Sequence, residues 1–412
     1  MKFRWETKFK ETEIGEIPKD WEVTNLGDDR FFKILPSGIK KFEGFKEYLS
    51  TSSVEGNEIV KIEEFITYNK RPLRANMQPV ENSVWLARMI NSPKFLKANK
   101  DLIENKILST GFLGIQTKVK ETCDYLFYYI QTKEFQEYKD AYVTGAVQES
   151  LTNENAKELL VILPPLPEQS RIATVLSYFD DLIEVKKRQN EILEKTAMAI
   201  FKSWFIDFEP FKDGEFVYNE ELGKEIPKGW EVKKIGEVAE IIMGQSPPSK
   251  FYNEDGIGIP FIQGKGQLGK YTPQTTIFCS CDGKLARIYD ILLTVRAPVG
   301  ELNLADKEYI IGRGIASIRS NYWPFLFLYF NFNRELLKSL EKGTTYDAIV
   351  KEDIENFLAV IPPPHILQTF HSLVEPLFLK IILNQKQIMT LRKIRDTLLP
   401  LLVFGKLRIA EV

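Results

Sequence analysis

Two sets of loop-like stretches carry the side chains best suited to chemistry. In the first half they are Lys40, Lys41, Arg71, Arg74, Asn76 and Arg88, in and around KILPSGIKKF, YNKRPLRANM and LSTGFLGIQTK. In the second half they are Gln245, Ser246, Lys250, Gln263, Lys265, Gln267, Lys270, Tyr271, Arg296 and Arg313. These lie within IIMGQSPPSKFY, FIQGKGQLGKYTP and ILLTVRAPVGELNLADKEYIIGRG. Arg and Gln present paired groups that match guanine and adenine edges, and Lys pairs with phosphate. One such residue is ordinarily a solvated loop residue. A cluster recurring in each half favours binding.

Catalytic groups are not legible. GIGIPFIQGKG resembles a phosphate-cradling loop, but Gly258 to Gly264 is one residue too long and Gly266 stands where Ser or Thr is needed. SPPS and IPPP lack the leading Asn of an amino-methylation motif. His365 and His371 both fall at one helix start and read as surface residues. Asp180 and Asp181 are helix neighbours and point different ways. No nucleophile elbow and no spaced carboxylate set appears. Cys123, Cys279 and Cys281 make neither a disulfide framework nor a metal set. No catalytic residue and no metal ligand is expected.

Composition sets the frame. The chain has 412 residues, enough for two or three domains, with 44% hydrophobic and 27% charged residues. No apolar run approaches the ~20 residues of a membrane span. The opening MKFRWETKFKETEIGEIP lacks the apolar segment of a secretory signal. A reducing cytoplasm is the expected location. Net charge is −2, so any nucleic-acid binding must rest on local basic patches.

The elements that would position these loops come as a repeat. GEIPKDWEV (15–23) returns as GKEIPKGWEV (223–232), with Pro227 following Pro18 by 209 positions. LLVILPPLPEQ (159–169) returns as FLAVIPPPHIL (357–367), with Pro362 following Pro164 by 198. Gly145 and Gly343 share the 198 offset. Several matches in one order mark a tandem repeat. The second copy departs from the first where PPHIL replaces PLPEQ.

After each Pro-Pro phrase the apolar spacing is that of a long helix. The first runs roughly from Glu168 to Trp204, with Ile172, Leu176, Phe179, Ile183, Leu193, Ala197, Ile200 and Trp204 in its stripe. The second runs roughly from Ile366 to Leu399, and 198 subtracted from its stripe lands on the first. Lys186 and Asn190 interrupt one stripe near its middle, and Asn384 interrupts the other. Antiparallel packing would bring them into one polar layer that fixes register at some cost in stability. Each helix of about 35 residues would span roughly 50 Å.

Between the repeat phrases, strand-like runs such as IVKIEEFITY and DILLTVR alternate with Gly/Pro/Asn turns. Shorter helical stretches are expected at Tyr125–Tyr138 and Tyr322–Leu340. The fold class is therefore α/β (α+β). Two globular units are separated by two long antiparallel helices forming a coiled coil, in a pseudo-twofold tandem repeat. The boundaries are 1–163 and 209–361 for the globular units, with 164–208 and 362–412 for the helices.

GEIPKDWEV with GKEIPKGWEV, PPLPEQSRIATVLSYFDDLIEVKKRQNEILEK and TLLPLLVFGKLRI together resemble the specificity subunits of type I restriction–modification systems, over essentially the whole chain. PPLPEQ before a long helix is the most specific of these signals. The resemblance implies that each globular unit is a target-recognition domain reading half of a bipartite, asymmetric site in double-stranded DNA. It implies that the helices set the spacer and dock two methyltransferase (M) subunits. Restriction (R) subunits would complete the complex. S-adenosylmethionine, ATP and Mg would belong to those partners, with no cofactor bound by this chain and no membrane involved. Two other readings compete. One is a coiled-coil scaffold with two protein-binding ends and no DNA role. The other is a lone DNA methyltransferase, against which the missing cofactor loop argues.

Overall fold

The computed structural model describes residues 2–143, 150–339 and 348–410. Gly145 and Gly343, used above for the repeat offset, lie outside the described residues. The chain divides into two compact units. The first comprises Met1–Leu182 and Leu391–Val412, the second Ile183–Thr390.

Two long helices, each with a proline in its first turn, carry the repeat. The first long helix is Leu166–Phe205 and the second is Pro364–Val403, 40 residues each. Both begin a little before the expected start because proline is tolerated in a first helical turn, where its missing N–H has no intrahelical partner. Gln169 seals the first start by donating from Nε2 to the carbonyl of Pro164 at 2.7 Å. Pro364–Val403 is long and apolar enough by composition to cross a bilayer. Its apolar residues have other uses. Leu367, Phe370, Val374 and Ile381 are buried in the core of the second unit, and Leu402 and Val403 in that of the first.

In the first unit, four strands pair in the order Phe95–Lys97, Ser83–Ala87, Phe112–Thr117, Phe32–Ile34, all antiparallel. A second sheet runs Ala75–Met77, Lys106–Ser109, Lys46–Leu49, Glu64–Ile66, with its two central strands parallel. Glu22–Asn25 pairs with Leu160–Leu163, which ties the opening phrase to the Pro-Pro phrase. Lys2–Trp5 pairs with Leu407–Ala410.

The second unit repeats this wiring. Glu240–Met243, Ile315–Arg319, Ile291–Thr294 and Leu302–Leu304 form the antiparallel sheet. A five-stranded sheet again centres on a parallel pair, Ile259–Ile262 with Tyr309–Ile311. Glu231–Lys234 pairs with Leu358–Ile361. The two middles are therefore one topology written in two unlike sequences.

The expected short helices are each split. Lys120–Tyr129 and Lys133–Ala141 replace the single run, because Thr132 turns out of the helix and caps the next one, accepting from the Phe135 N–H at 3.3 Å. Trp323–Phe332 and Arg334–Ser339 replace the other, with Asn333 between them. Of IVKIEEFITY only its first residue, Ile59, and Glu64–Ile66 lie in strands.

The departure in the second Pro-Pro phrase has a packing counterpart. In the first unit Trp21 donates from Nε1 to Glu168 at 3.0 Å. The 198 offset puts Ile366 where Glu168 stands. In the second unit the corresponding Trp230 instead meets Phe208 and Phe211 edge-on and Phe205 at a tilt, with ring centroids 5.1–5.8 Å apart. A polar corner in one copy is an aromatic corner in the other. Phe205 also meets Phe370 edge-on at 4.7 Å. Each buried phenyl contributes about 1.5–3 kcal/mol.

Candidate nucleic-acid interface

Three glycine-bearing loops converge in the second unit: 244–246, 263–267 and 312–314. Gln245 donates its N–H to the carbonyl of Ile311 at 3.0 Å, and Gly312 donates to Ile262 at 2.7 Å. The Arg313 N–H donates to Ser246 Oγ at 3.2 Å. Backbones approach so closely that a Cβ on Gly244 would lie 2.2 Å from the Gly312 carbonyl oxygen, and one on Gly314 would lie 2.4 Å from that of Gln263. This approach presents Gln245, Gln263, Lys265 and Arg313 as exposed side chains from neighbouring loops. Arg296 is exposed beside them, since Val295 donates to the Gly314 carbonyl at 3.0 Å. Lys265 also reaches Glu301 at 3.6 Å. Lys250 is exposed on a separate turn against the ring of Phe251.

Ser246 and Gln267 are partly occupied. The Ser246 hydroxyl holds Arg313, and Gln267 Oε1 accepts from the Gly264 N–H at 3.2 Å, closing its own turn. Two residues leave the candidate set. Lys270 pairs with Glu191 on the first long helix at 2.8 Å, and Tyr271 is buried with its hydroxyl donating to Glu194 at 2.9 Å. Burial, with the Glu194 carboxylate beside it, pushes the Tyr271 phenol well above its usual range. Tyr271 is turned into the helix contact, while Lys270 pairs with the helix and stays exposed.

In the first unit, two loops are clasped by aromatic contacts. Phe42 meets Tyr68 edge-on at 6.0 Å, and the Arg71 guanidinium sits 4.5 Å over the Tyr68 ring while donating to its carbonyl. Gly38 donates to the Asn76 carbonyl at 2.7 Å. Lys40, Lys41, Arg71, Arg74 and Asn76 thus lie on joined loops, with Lys40, Lys41 and Arg74 exposed. Lys46 lies over Phe42, and partial burial lowers its pKa. Arg88 is a correction. It donates to the carbonyls of Phe112 at 3.2 Å and Leu151 at 2.8 Å, and to Asn153 Oδ1 at 2.7 Å, so its fork is spent inside the fold.

Sequence reasoning missed Leu73. It is 98% exposed between Arg71 and Arg74, on a loop stiffened by Pro72. An apolar residue inside KRPLR with no periodic apolar neighbour was the available signal. Such a side chain can contact a thymine methyl or wedge at a base step.

The helix-pair residues meet within the second unit. Asn384 donates from Nδ2 to Asn190 Oδ1 at 2.8 Å. Lys186 bonds Gln387 Oε1 at 2.5 Å rather than joining that amide pair. Among the described residues, no group of three His, Cys, Asp or Glu is placed to hold a metal ion.

Comparison with known proteins gives one picture. The family described as Type I restriction modification DNA specificity domain matches twice, over residues 18–195 and 227–393. The type I restriction enzyme MjaIX specificity subunit of Methanocaldococcus jannaschii is 38% identical, covering 100% of this chain and 99% of its own. The HindI specificity subunit of Haemophilus influenzae is 25% identical over 94% of this chain and 100% of its own. A crystal structure of a type I restriction–modification S subunit from M. genitalium shares the fold. Its TM-score is 0.60 at 17% identity, covering 93% of this chain and 96% of that one.

Proposed function

The chain belongs to the family of type I restriction–modification DNA specificity subunits, and from that premise we propose that its two units read the two halves of one split DNA site. The supporting observation is one wiring presenting two different polar loop sets. In the first unit these are Lys40, Lys41, Arg71, Arg74 and Asn76, with the apolar Leu73 exposed among them. In the second they are Gln245, Gln263, Lys265, Arg296 and Arg313. Unlike readers on a shared fold predict an asymmetric site. The scaffold alternative finds no support in the family or the relatives matched.

The long helices act as the spacer between readers, and two M subunits dock on the repeated parts of the chain. Half-sites on one DNA face lie about one helical turn, roughly 34–36 Å, or a multiple of it apart. A chain of near-neutral charge binds DNA well when its partners supply part of the phosphate affinity. Catalysis belongs to the partners. M subunits use S-adenosylmethionine, and R subunits use ATP and Mg. The complex works in the cytoplasm, on the DNA there.

The test is to express this chain with its methyltransferase subunit and map the adenines that become methylated. The expected result is a split, asymmetric motif with a fixed spacer. Adding or deleting whole heptads in both helices should change the spacer and leave both half-sites unaltered. A formed complex with no salt-sensitive DNA binding would overturn the reading.

A further inference from the structure

One helix position reaches the globular part of its unit in both repeats. In the second unit, strand Ile259–Ile262 leads through the turn Lys265–Gln267 into a hairpin closed by a Leu268–Pro273 bridge. In the first, strand Lys46–Leu49 leads through the turn Thr51–Ser53 into the hairpin Val54–Glu55 and Glu58–Ile59. Both strands are the equivalent member of their sheet's parallel pair, so the hairpins are topological counterparts. Each touches a long helix of its own unit. Tyr271 donates to Glu194 at 2.9 Å, and Arg392 bonds Glu58 at 3.1 Å. Arg392 follows Glu194 by 198 positions, the same offset that relates the two Pro-Pro phrases.

The chemistry is inverted. In the second unit the helix offers carboxylates, Glu191 and Glu194, to donors on the hairpin, Lys270 and Tyr271. In the first the helix offers a guanidinium to a carboxylate. An exposed ion pair alone contributes little stability. A geometric link retained at one helix position, with both chemistries exchanged, is unlike a chance surface pair. The hairpin of the second unit also lies within its reading loops. The Gln274 N–H donates to the Gln267 carbonyl at 2.8 Å, and Asn303 Nδ2 donates to that of Gly269 at 2.8 Å. Gln263 and Lys265 sit at the loop's near end.

We propose that these contacts are struts holding each reading hairpin against the spacer helix, and that Glu194 with Tyr271, and Arg392 with Glu58, are positioning residues for half-site recognition. The proposal rests on the DNA-reading function above. A hydrogen bond to a carboxylate from a buried phenol is directional and stronger than a neutral pair, so it fixes orientation. A reading domain moved from one repeat to the other would carry the wrong partner. The Glu58 hairpin facing Glu194 would set two carboxylates together.

The experiment uses the full chain co-expressed with its methyltransferase subunit. Variants are Glu194→Gln, Tyr271→Phe, Arg392→Glu, and the exchanged pair Arg392→Glu with Glu58→Arg. Methylation is mapped at both half-sites, and amide hydrogen exchange is followed in both hairpins. Glu194→Gln and Tyr271→Phe should speed exchange across 268–273 and weaken discrimination at the second half-site by about tenfold, leaving the first unchanged. Arg392→Glu should do the same to hairpin 54–59 and the first half-site, and the exchanged pair should restore both. Wild-type exchange and wild-type discrimination in every single variant would overturn the proposal. So would loss in Arg392→Glu that the exchanged pair fails to rescue. A wild-type complex that methylates no split site would sink the family-based function instead, and hydrogen exchange would still decide whether the struts hold.

Discussion

Asn384 donates from Nδ2 to Oδ1 of Asn190 over 2.8 Å, and both residues are fully buried. Truncating one removes the other's 2.8 Å partner in a buried site, at about 1–3 kcal/mol. Asn384→Ala should therefore lower the urea midpoint. Replacing both with Leu should be neutral or stabilising, while relaxing the register that the amide pair imposes. Equilibrium unfolding of the single and double variants separates the two effects. A double variant as unstable as the single one would contradict this account.

The long helices were legible because a 3.5-residue apolar period sustained over ten turns has few other meanings. The wiring of the middles was not. Strands of two to six residues carry too little period, and the two copies share topology without sharing side chains. Site residues failed where their partners are distant in sequence. Arg88 bonds Leu151, 63 positions on, and Tyr271 bonds Glu194, 77 positions back. A basic loop residue looks the same in sequence whether its charge meets solvent, a carbonyl or a helix carboxylate. Lys40, Lys41 and Arg74 are exposed, and no local signal distinguished them from Arg88.

That difference is measurable. Lys40→Ala and Lys41→Ala should leave unfolding unchanged. Each phosphate contact they remove should reduce the slope of log K against log salt by about 0.9. Arg88→Met should leave the salt slope alone and destabilise the first unit by about 2–3 kcal/mol, since three internal acceptors lose a charged donor. Salt titrations paired with denaturation curves check both. A changed salt slope in folded Arg88→Met would return that residue to the interface.

Arg408 gathers carboxylates in the first unit. It bonds Glu168, Glu6 and Asp20, with Glu6 and Asp20 at 2.8 Å. The Arg408 hydrogen bond holds the Glu6 carboxyl down at about 2 against an ordinary 4.5, and lowers Asp20 as well. A depressed carboxylate contributes stability above its unfolded pKa and loses it as pH falls through its folded value. Glu6 therefore contributes fully above about 4.5, and progressively less down to about 2. At pH 7, Arg408→Met strands the buried Glu168 and should cost about 3–5 kcal/mol. Acidification removes the Glu6 and Asp20 contacts from the wild type too, so the gap between the two proteins should narrow between pH 4.5 and 2. Thermal unfolding across that range tests the sign, and a gap widening toward low pH would refute it.

Gly244 and Gly314 hold the converging loops of the second unit together by having no side chain. A methyl on Gly244 would lie 2.2 Å from a backbone oxygen, and one on Gly314 2.4 Å from another. No rotamer change relieves such a clash, so the loops must part, at about 1–3 kcal/mol. Gly266 sits in the same loop set with nothing within 4 Å of its Cβ position. Gly244→Ala and Gly314→Ala should therefore weaken recognition of the second half-site and spare the first, while Gly266→Ala changes neither. Competition binding with DNA altered in one half-site at a time reads this directly. Equal losses in all three variants would mean that glycine flexibility, rather than close approach, governs the loops. Loss in the first two alone places the convergence of Gln245, Gln263 and Arg313 at the centre of that half-site's recognition.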